Sequence, residues 1–264
     1  MKAVIFTSNS IRHKFFANSI AKQFDDALVI CECTEHDSKN FENILKLNPI
    51  QKHFHTRYET EKKIFKNNDY FLSKTIPLIY KEVNLNYVYD ILKKFEPDVM
   101  FVFGSHIIKE PILTLPSVKY FLNMHLGLSP YYRGSGTNFW PFVNNELEYV
   151  GSTILYLDSG IDTGDILCHV LPKIELGDDV HTVGCKVIEE SVKKFSKIIS
   201  LIDQGKKLPR TKQWEIPDER YYRNIDFNES ILKKYKQNLS DNLIVNYLSK
   251  PQPQIKLLSL EFNF

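Results

Sequence analysis

Short apolar runs recur along this chain, and polar or helix-forming segments separate each run from the next. Such runs are typical of strands that are buried on both faces, as in parallel sheets covered by helices. We predict strands at Lys2–Phe6, Ala27–Cys33, Asp98–Gly104, Lys119–Gly127, Tyr149–Asp158 and Asp165–Glu175. Helices are predicted at Ile11–Phe24 and at Asp179–Gln204, where Asp179 is a suitable N-cap. The alternation predicts an α/β fold with a Rossmann-like, open and mostly parallel sheet and flanking helices.

A long charged region, rich in Asn and Lys, interrupts this alternation between Thr34 and Phe95. Two segments within it, Thr56–Asn68 and Thr75–Phe95, are predicted to be helical, and the second has a clear apolar stripe. Further along, the polar stretch that begins at Gly205 predicts a boundary. We therefore predict a main domain over residues 1–205 and a small C-terminal appendage over residues 206–264. The appendage is too short to be a stable domain of its own.

Composition narrows the classes of protein to consider. The formal net charge is only +2, and the chain has no strongly basic block, which argues against a partner bound through its phosphates, such as tRNA or DNA. Four cysteines in 264 residues do not form a disulfide framework. The N-terminal apolar run is too short for a signal peptide, and no run approaches the roughly 18 residues of a membrane helix. We expect a cytoplasmic protein with no nucleic-acid or membrane partner.

The stretch Asn-Met-His-Leu-Gly-Leu-Ser-Pro-Tyr-Tyr-Arg-Gly begins at Asn123, at the end of a predicted strand. Ligands of open α/β sheets bind beyond the carboxyl ends of the strands. Asn123 and His125 are two residues apart, so their side chains project to the same side of an extended chain. The loop Asp-Ser-Gly-Ile-Asp-Thr-Gly-Asp follows a later strand and contributes Asp158, Asp162 and Asp165. An amide, an imidazole and a carboxylate are therefore predicted to meet at one edge of the sheet.

A trio of this kind suits acyl transfer to an amine. The N–H groups of an Asn and a His can stabilise the oxyanion of a tetrahedral intermediate. A His tuned by an Asp can also handle the proton that the attacking ammonium group must lose near neutral pH. Taken singly, an Asn or a His in a loop is more often a turn or capping residue, and the three aspartates could instead ligate a divalent cation. The joint pattern carries the prediction.

Together these segments resemble the formyltransferases that use 10-formyltetrahydrofolate. That family has an Asn-x-His at a strand end, a Ser-x-x-Pro-x-Tyr-Arg-Gly-like loop, a strand with Gly-x-Thr, and an Asp-x-Gly-x-Asp-Thr-Gly-Asp loop. This chain has all four in that order. The resemblance implies that residues 1–205 are the catalytic domain. It also implies that Asn123 binds the oxyanion, that His125 is the catalytic imidazole and that Asp162 orients it.

The resemblance further implies 10-formyltetrahydrofolate as co-substrate, and no metal. The pterin ring would lie between the residues that follow the strand Asp98–Gly104 and the aspartate-containing loop. The residues carried over to this pocket are Ser105, His106, Ile107, Ile108, Asp158 and Ile161. For the two neighbouring isoleucines, ordinary core packing is an equal alternative. The resemblance covers Asp98–Gly205 closely and Met1–Cys33 loosely.

Three observations favour the branch of this family that formylates nucleotide-linked amino sugars. About 60 residues follow Gly205, which is too few for the β-barrel domain that methionyl-tRNA formyltransferase uses on tRNA, and the near-neutral charge agrees. Glycinamide ribonucleotide transformylase lacks both the long region before Phe95 and a C-terminal appendage. The aromatic, Gly-rich loop over residues 125–144 resembles the sugar branch.

The expected acceptor is a 4-amino (or 3-amino) deoxysugar attached to a nucleoside diphosphate, of the dTDP- or GDP-4-amino-4,6-dideoxyhexose type, used in O-antigen or lipopolysaccharide biosynthesis. Its site is expected to be bordered by Tyr132, Arg133, Gly134 and Thr137. Trp140 is expected to be buried, whereas Tyr221 and Tyr222 either stack on a base or seal the appendage. The apolar C-terminal tail is compatible with a homodimer.

Several alternatives stay open. Within the family, they are formylation of methionyl-tRNA and hydrolysis of the formyl-folate by water. Outside it, the alternative is a non-catalytic folate- or nucleotide-binding protein. Cys31, Cys33 and His36 are too few ligands for a structural zinc site, and His53 and His55 are expected on a surface or half-buried segment. The residues after the first strand lack the glycines that a dinucleotide site needs.

Overall fold

The computed structural model describes residues 1–34, 46–217, 220–251 and 253–260. The strands of this part of the chain are β1 (Lys2–Ser8), β2 (Asp26–Cys33), β3 (Lys74–Ile79), β4 (Val99–Phe103), β5 (Tyr120–His125), β6 (Tyr132–Gly134), β7 (Ser152–Tyr156), β8 (Ile166–Val170) and β9 (Arg220–Tyr222). Its α-helices are α1 (Ile11–Ala21), α2 (Pro49–Ile64), α3 (Asn86–Phe95), α4 (Trp140–Asn144), α5 (Val180–Asp203), α6 (Glu229–Ser240) and α7 (Leu243–Ser249). None of these helices is both long enough and apolar enough to span a bilayer. His36 and the last four residues of the tail lie outside the described residues.

Seven of the described strands form the central sheet, in the order β3-β2-β1-β4-β5-β7-β8. The first five are parallel to their neighbours, whereas β7 is antiparallel to both β5 and β8. Parallel neighbours need crossover connections, and helices supply them. The predicted Rossmann-like, mostly parallel sheet with flanking helices is therefore confirmed. The carboxyl ends of β1, β2, β4 and β5 open on one edge of this sheet.

The sheet is covered on both faces. Neighbouring residues of β1 point to opposite sides, so Ile5 joins an apolar cluster with α1 and α5, and Phe6 joins a second cluster with α3. In the first cluster the ring of Phe195 packs edge to face against Phe16 and Phe101, at centroid distances of 5.5 and 5.6 Å. Because both faces are buried, the central strands are apolar at nearly every position.

The prediction of one helix over Thr75–Phe95 is wrong in its first half. Lys74–Ile79 is the edge strand β3, which pairs with β2, and helix α3 begins only at Asn86. Pro77 explains the difference, because a residue without an N–H group is excluded from a helix interior but tolerated in an edge strand. Lys81 then has a left-handed backbone (φ 76°), which a continuous helix does not allow. The segment predicted as a helix over Thr56–Asn68 is largely confirmed as part of α2.

The residues after Gly205 pack against the α/β core. Strand β9 pairs with β6 in a separate two-stranded sheet, and α6 lies against α4. Leu232 and Tyr235 of α6 are buried in the same apolar cluster as Phe142 of α4, and Leu243 of α7 joins them. The division of the chain at residue 205 stays a prediction. The described part of the appendage nevertheless shares an apolar core with the rest of the molecule.

Candidate active site

A cavity of about 1090 Å³ lies beyond the carboxyl ends of the central strands, where the sequence predicts the site. Its lining includes residues 102–108 at the end of β4, residues 123–126 at the end of β5, and residues 157–158 and 160–162 in the loop after β7. Residues 134–140 and the start of α5 also contribute to the lining. The volume is at the upper end of the roughly 300–1,000 Å³ that is typical of small-molecule sites.

The three predicted catalytic residues meet in this cavity, where Asp162 contacts both Asn123 and His125. Asn123 donates a hydrogen bond from Nδ2 to Asp162 Oδ1 at 3.2 Å. His125 Nδ1 lies 3.1 Å from the other carboxylate oxygen of Asp162. On its far side, His125 Nε2 lies 3.1 Å from the backbone carbonyl oxygen of Tyr132. The predicted convergence of an amide, an imidazole and a carboxylate is therefore present.

Strand pairing and a tight loop bring about this meeting. Asn123 and His125 are alternate residues of β5, and β7 runs antiparallel to β5, so the loop after β7 returns to the same edge. Asp158 shapes that loop, because its carboxylate accepts hydrogen bonds from the Gly160 N–H at 3.0 Å and from the Thr163 hydroxyl at 2.9 Å. Asp162 has a left-handed backbone (φ 53°), which Asp adopts more readily than most residues with a side chain.

The protonation states of His125 and Asp162 depend on each other. Burial alone would lower the pKa of His125, but the charge of Asp162 and hydrogen bonds to Asp162 and the Tyr132 carbonyl raise it above the ordinary value of 6.5. Burial alone would raise the pKa of Asp162, but His125 and Asn123 lower it below 3.8. Both ring nitrogens of His125 face acceptors, which a doubly protonated ring satisfies. The geometry therefore favours an imidazolium–carboxylate ion pair.

The predicted cofactor-binding residues all line the cavity. They are Ser105, His106, Ile107, Ile108, Asp158 and Ile161. Ile107 and Ile161 are 38% and 46% exposed, so they offer apolar surface to a ligand, whereas Ile108 is buried. The carboxylate of Asp158 is used within its own loop, so it shapes the cavity through the backbone. This placement is compatible with the predicted pocket.

A buried carboxylate that the sequence analysis did not single out holds this part of the cavity in place. Glu32, at the end of β2, accepts hydrogen bonds from the Ser105 hydroxyl at 3.0 Å and from the His106 N–H at 2.5 Å. It also accepts a hydrogen bond from the Lys81 N–H at 2.8 Å. From the other side, the Asn84 amide donates to the Ile107 carbonyl at 2.8 Å. The loop after β4 is therefore fixed to the ends of two other strands.

The predicted substrate-binding residues divide into two pairs. Gly134 and Thr137 line the cavity, but the side chains of Tyr132 and Arg133 do not. The substrate-binding role of Tyr132 stays a prediction, although its side chain lies away from the cavity. Its ring is fully buried, its hydroxyl donates to Glu146 at 2.5 Å, and only its backbone carbonyl contacts His125. Arg133 donates from Nη2 to the Ile161 carbonyl at 3.3 Å, so it braces the aspartate loop.

Among the basic side chains in the lining, four that were not predicted to lie there belong to α1, α2 and α5. These side chains are Arg12, His53, Arg57 and His181. The rings of His53 and His181 face each other at a centroid distance of 4.5 Å. Burial, followed by the nearby charges of His181 and Arg57, lowers the pKa of His53 to about 3. His53 and His181 are more than a hundred residues apart in the sequence, so no local sequence pattern indicates that their rings are in contact.

A second missed histidine environment lies at the end of β1. The ring of His13 is held at Nδ1 by the hydroxyls of Ser8 and Ser10, and its edge meets Phe103 at a centroid distance of 4.6 Å. Burial, followed by the charges of Arg12 and Arg57, lowers its pKa. Its position two residues into the helix that follows β1 is the available sequence signal, because ligands bind at that edge.

The three aspartates of the loop after β7 each have a different partner. Asp158 is bound within the loop, Asp162 contacts Asn123 and His125, and Asp165 forms an ion pair with Arg210 at 2.6 Å. In the described ranges, no group of three or more His, Cys, Asp or Glu side chains is placed to hold a metal ion. The alternative of a divalent-cation site built from these aspartates therefore has no support in this arrangement.

The likeness of this chain to known proteins agrees with the site. The methionyl-tRNA formyltransferase of Caldanaerobacter subterraneus subsp. tengcongensis is 34% identical over 125 residues, which cover 47% of this chain and 40% of that protein. The chain thus aligns with less than half of the length of the curated relatives it matches. A 4-N formyltransferase structure from Francisella tularensis has a TM-score of 0.57 and 20% identity, with 90% of this chain and 87% of that chain covered.

An N-formyltransferase from Helicobacter canadensis, solved in complex with folinic acid and dTDP-3-aminofucose, also has a TM-score of 0.57 and 20% identity. There, 90% of this chain and 80% of that chain are covered. At such identities the structural likeness shows a common fold. The profile of the formyl transferase family matches residues 6–199, which is most of the chain. On that match, the protein belongs to the formyl transferase family.

Proposed function

We propose that this protein transfers a formyl group from 10-formyltetrahydrofolate to the amine of a nucleoside-diphosphate-linked amino deoxysugar, of the dTDP- or GDP-4-amino-4,6-dideoxyhexose type. The observation that carries the proposal is the contact of Asn123 and His125 with Asp162 in the lining of a large cavity. Family membership supports formyl transfer as the reaction. The product would serve O-antigen or lipopolysaccharide biosynthesis in a cytoplasmic step.

In this proposal the amine attacks the formyl carbon directly. Asn123 Nδ2 and protonated His125 donate hydrogen bonds to the formyl oxygen as it gains negative charge. In this structure His125 Nε2 bonds the Tyr132 carbonyl, so the formyl oxygen would share or replace that contact. Asp162 keeps His125 charged and accepts, through water, the proton that the amine loses. The tetrahedral intermediate would then collapse by breaking the bond between the formyl carbon and N10, and the same proton would pass to N10 as tetrahydrofolate leaves. No Ser or Cys nucleophile is needed.

The residues beside this trio fit a pterin. Bound 10-formyltetrahydrofolate would supply the activated formyl group. Ile107 and Ile161 present exposed apolar surface, and the loop that carries Ile107 is fixed by Glu32 and Asn84. A planar heterocycle needs such apolar contact on its faces and backbone groups at its edge. Both are available at the end of β4.

The remaining part of the cavity suits a phosphate-bearing acceptor. Arg12, Arg57 and Arg223 line it, and guanidinium groups bind phosphates by paired hydrogen bonds. Arg12 and Arg57 also pair with the buried carboxylate of Glu61, which fixes their side chains at this wall and uses some of their N–H donors. Tyr222 is already stacked on Trp140 at a centroid distance of 3.9 Å, which favours a sealing role for it. Tyr221 is 51% exposed at the cavity and is the better residue to stack on a base. The dTDP-3-aminofucose complex of the Helicobacter canadensis structure supports the same class of acceptor.

A second candidate acceptor is methionyl-tRNA. The observation that favours it is the naming of the curated relatives as methionyl-tRNA formyltransferases, at 34% identity over less than half of their length. The cavity and its guanidinium lining favour the sugar, because a tRNA would need a broad basic surface and the net charge of the chain is only +2. Both acceptors use the same formyl-transfer chemistry, so an assay must separate them.

The test measures tetrahydrofolate release from 10-formyltetrahydrofolate in three parallel reactions that contain EDTA. One reaction receives a panel of nucleotide-linked amino sugars, one receives methionyl-tRNA, and one receives no acceptor. We expect turnover with at least one amino sugar and a formylated product of the corresponding mass. Turnover with methionyl-tRNA alone would replace the proposed acceptor, and equal turnover without acceptor would indicate a hydrolase. No release in any reaction would leave a binding protein as the better reading.

A further inference from the structure

The segment that follows the predicted boundary at residue 205 runs along the loop that carries Asp162. Arg210 forms an ion pair with Asp165, and Thr211 exchanges two backbone hydrogen bonds with Ile166, at 2.7 and 3.0 Å. Two residues further on, Gln213 Nε2 donates to the carbonyl oxygens of Asp162 at 2.7 Å and of Gly164 at 2.9 Å. A part of the chain outside the predicted catalytic domain therefore binds the backbone of the predicted catalytic aspartate.

The Asp162 backbone is a place where such support matters. Its φ of 53° is in the left-handed region, which is uncommon for residues with a side chain and which contacts from the surroundings stabilise. The contacts from its carboxylate to Asn123 and His125 are 3.2 and 3.1 Å long. A rotation of this peptide that moved the carboxylate by 1 Å would break both contacts. The position of the carboxylate thus depends on what fixes the carbonyl of Asp162.

We propose that Gln213 is a positioning residue for formyl transfer, which acts by holding the Asp162 peptide so that its carboxylate meets both Asn123 and His125. The inference rests on the proposed catalytic role of Asp162. Under this inference, the segment after residue 205 also contributes to the catalytic site. Gln213 is half-buried, and its amide is suited to the task because one NH₂ group can donate to two carbonyl oxygens at once.

The test compares Gln213→Glu and Gln213→Ala with the wild-type protein. Gln213→Glu keeps the shape of the side chain but places a carboxylate against two carbonyl oxygens, so it removes the donors without creating a void. We expect kcat to fall about 10- to 100-fold in both variants, because a misplacement of about 1 Å costs up to about 10²-fold. KM for both substrates should stay within about twofold of wild type. Gln237→Ala is the control, since Gln237 Nε2 donates to Asp241 on the exposed end of α6, and it should keep the wild-type rate.

Two further readouts separate positioning from a general loss of structure. In an Asp162→Asn background, Gln213→Glu should cost less than twofold in addition, because residues that act through one another are not additive. By NMR, the pKa of His125 should fall in Gln213→Ala, because the carboxylate of Asp162 is then less well placed. The uncharged variant is used because the new carboxylate of Gln213→Glu would itself raise this pKa. Arg133, the other charged group that faces His125, keeps its contact with Ile161.

Several outcomes would overturn this inference. Wild-type kcat in Gln213→Glu would do so, as would losses that multiply fully in the Asp162→Asn background or an unchanged pKa of His125. A Gln213→Glu protein that unfolds would be replaced by Gln213→Ala in the same measurements. Failure of the proposed function is a different result, because the wild-type protein would then show no acceptor-dependent turnover with any amino sugar. Failure of the proposed role of Asp162 would appear as a wild-type rate in Asp162→Asn itself.

Discussion

His125 and Asp162 form a buried contact of 3.1 Å in which each residue shifts the pKa of the other towards its charged form. The second carboxylate oxygen of Asp162 accepts a hydrogen bond from Asn123. One carboxylate therefore orients both of the side chains that we assign to the oxyanion. Removing one partner of such a buried pair leaves an uncompensated charge, so the variants should have large effects.

Truncating either oxyanion donor should lower the rate of formyl transfer strongly. We expect Asn123→Ala and His125→Ala each to reduce kcat about 10²- to 10³-fold, which is the typical cost of losing one oxyanion donor. The measurement is steady-state turnover at saturating concentrations of both substrates. Ser196→Ala, on the half-buried side of α5 and outside the cavity lining, is a suitable control. If both donor variants kept the wild-type rate, the site assignment would be wrong.

Asp162→Asn should destabilise the protein most between about pH 3.8 and 6.5. The interactions that raise the pKa of His125 stabilise the folded protein fully below pH 6.5, the pKa of histidine in the unfolded chain. This stabilisation is lost as the pH rises through the pKa of His125 in the folded protein. The interactions that lower the pKa of Asp162 stabilise the folded protein above pH 3.8, the pKa of aspartate in the unfolded chain. This stabilisation is lost as the pH falls through the pKa of Asp162 in the folded protein. Both effects are present together only in that window.

Urea unfolding of the wild type and of Asp162→Asn at pH 5.5 and at pH 9 measures this difference. The loss of unfolding free energy in the variant should be larger at pH 5.5 than at pH 9. An equal loss at the two pH values would show that the contact is not an ion pair in the folded protein.

Glu32→Gln should weaken the interaction with the folate co-substrate. The carboxylate of Glu32 accepts hydrogen bonds from Lys81, Ser105 and His106, and an amide NH₂ in its place would face at least one N–H donor. We expect an unsatisfied donor to cost about 1–3 kcal/mol, which corresponds to about 5- to 150-fold in KM if the full cost falls on binding. KM for 10-formyltetrahydrofolate should rise, and KM for the acceptor should change by less than about twofold.

Glu190→Gln is a matched control for this variant, because Glu190 pairs with Lys193 on the exposed face of α5. An increase in KM for the acceptor alone would contradict the assignment of the loop after β4 to the folate.

The parts of the site that could be predicted are those that local sequence determines. Asn123 and His125 lie two residues apart on one strand, and strand geometry alone places them on one side. Asp162 follows a neighbouring strand, and the shared edge of the sheet brings it near. The placements that the residue patterns did not indicate depend on distant parts of the chain. Tyr132 is drawn into the aromatic cluster because β6 pairs with β9, which is almost ninety residues further on.

Edge position and long-range contacts explain the remaining differences. Pro77 lies in a segment whose apolar stripe suggests a helix, and only its place at the sheet edge makes a strand acceptable. His53 and His181 belong to helices far apart in the sequence, so nothing local indicates that their rings meet. Gln213 is likewise 51 residues from Asp162. Each of these contacts depends on tertiary packing, which residue patterns do not encode directly.

Leu232→Ala should destabilise the whole protein if the appendage and the α/β core unfold together. Leu232 is 1% exposed and shares an apolar cluster with Phe142, Val183 and Tyr235. A cavity left by truncating a buried Leu costs about 2–5 kcal/mol. We expect one calorimetric transition in the wild type and a single transition at lower temperature in the variant. Val245→Ala, on the exposed side of α7, should stay within about 0.5 kcal/mol of wild type.

Two separate transitions, with only one of them shifted by Leu232→Ala, would contradict this expectation. They would show instead that the residues after the predicted boundary unfold independently of the sheet.

His53→Phe should reduce the loss of stability that accompanies mild acidification. Burial is the largest cause that lowers the pKa values of His53 and His181 to about 3. For His53 it is followed by the charges of His181, Arg57 and Lys236, with Asp179 opposing the shift. For His181 it is followed by the charges of Arg57 and Arg12. The unfolded chain, with histidine pKa values near 6.5, therefore binds more protons than the folded protein between about pH 3 and 6.5. Stability must fall as the pH falls through that window, which is the opposite direction to the effect of His125.

At pH 5.5, one unit below the ordinary histidine value, each of the two groups lowers the unfolding free energy by about 1.4 kcal/mol relative to neutral pH. Phenylalanine at position 53 keeps a ring among Phe139 and Phe227 and removes one titrating group. The difference in unfolding free energy between pH 8 and pH 5.5 should therefore be smaller in His53→Phe than in the wild type by about that amount. Thr56→Ala, exposed on the same helix, is the control and should show the same difference in unfolding free energy between the two pH values as the wild type. If His53→Phe also showed the wild-type difference, His53 would be protonated in the folded protein at pH 5.5.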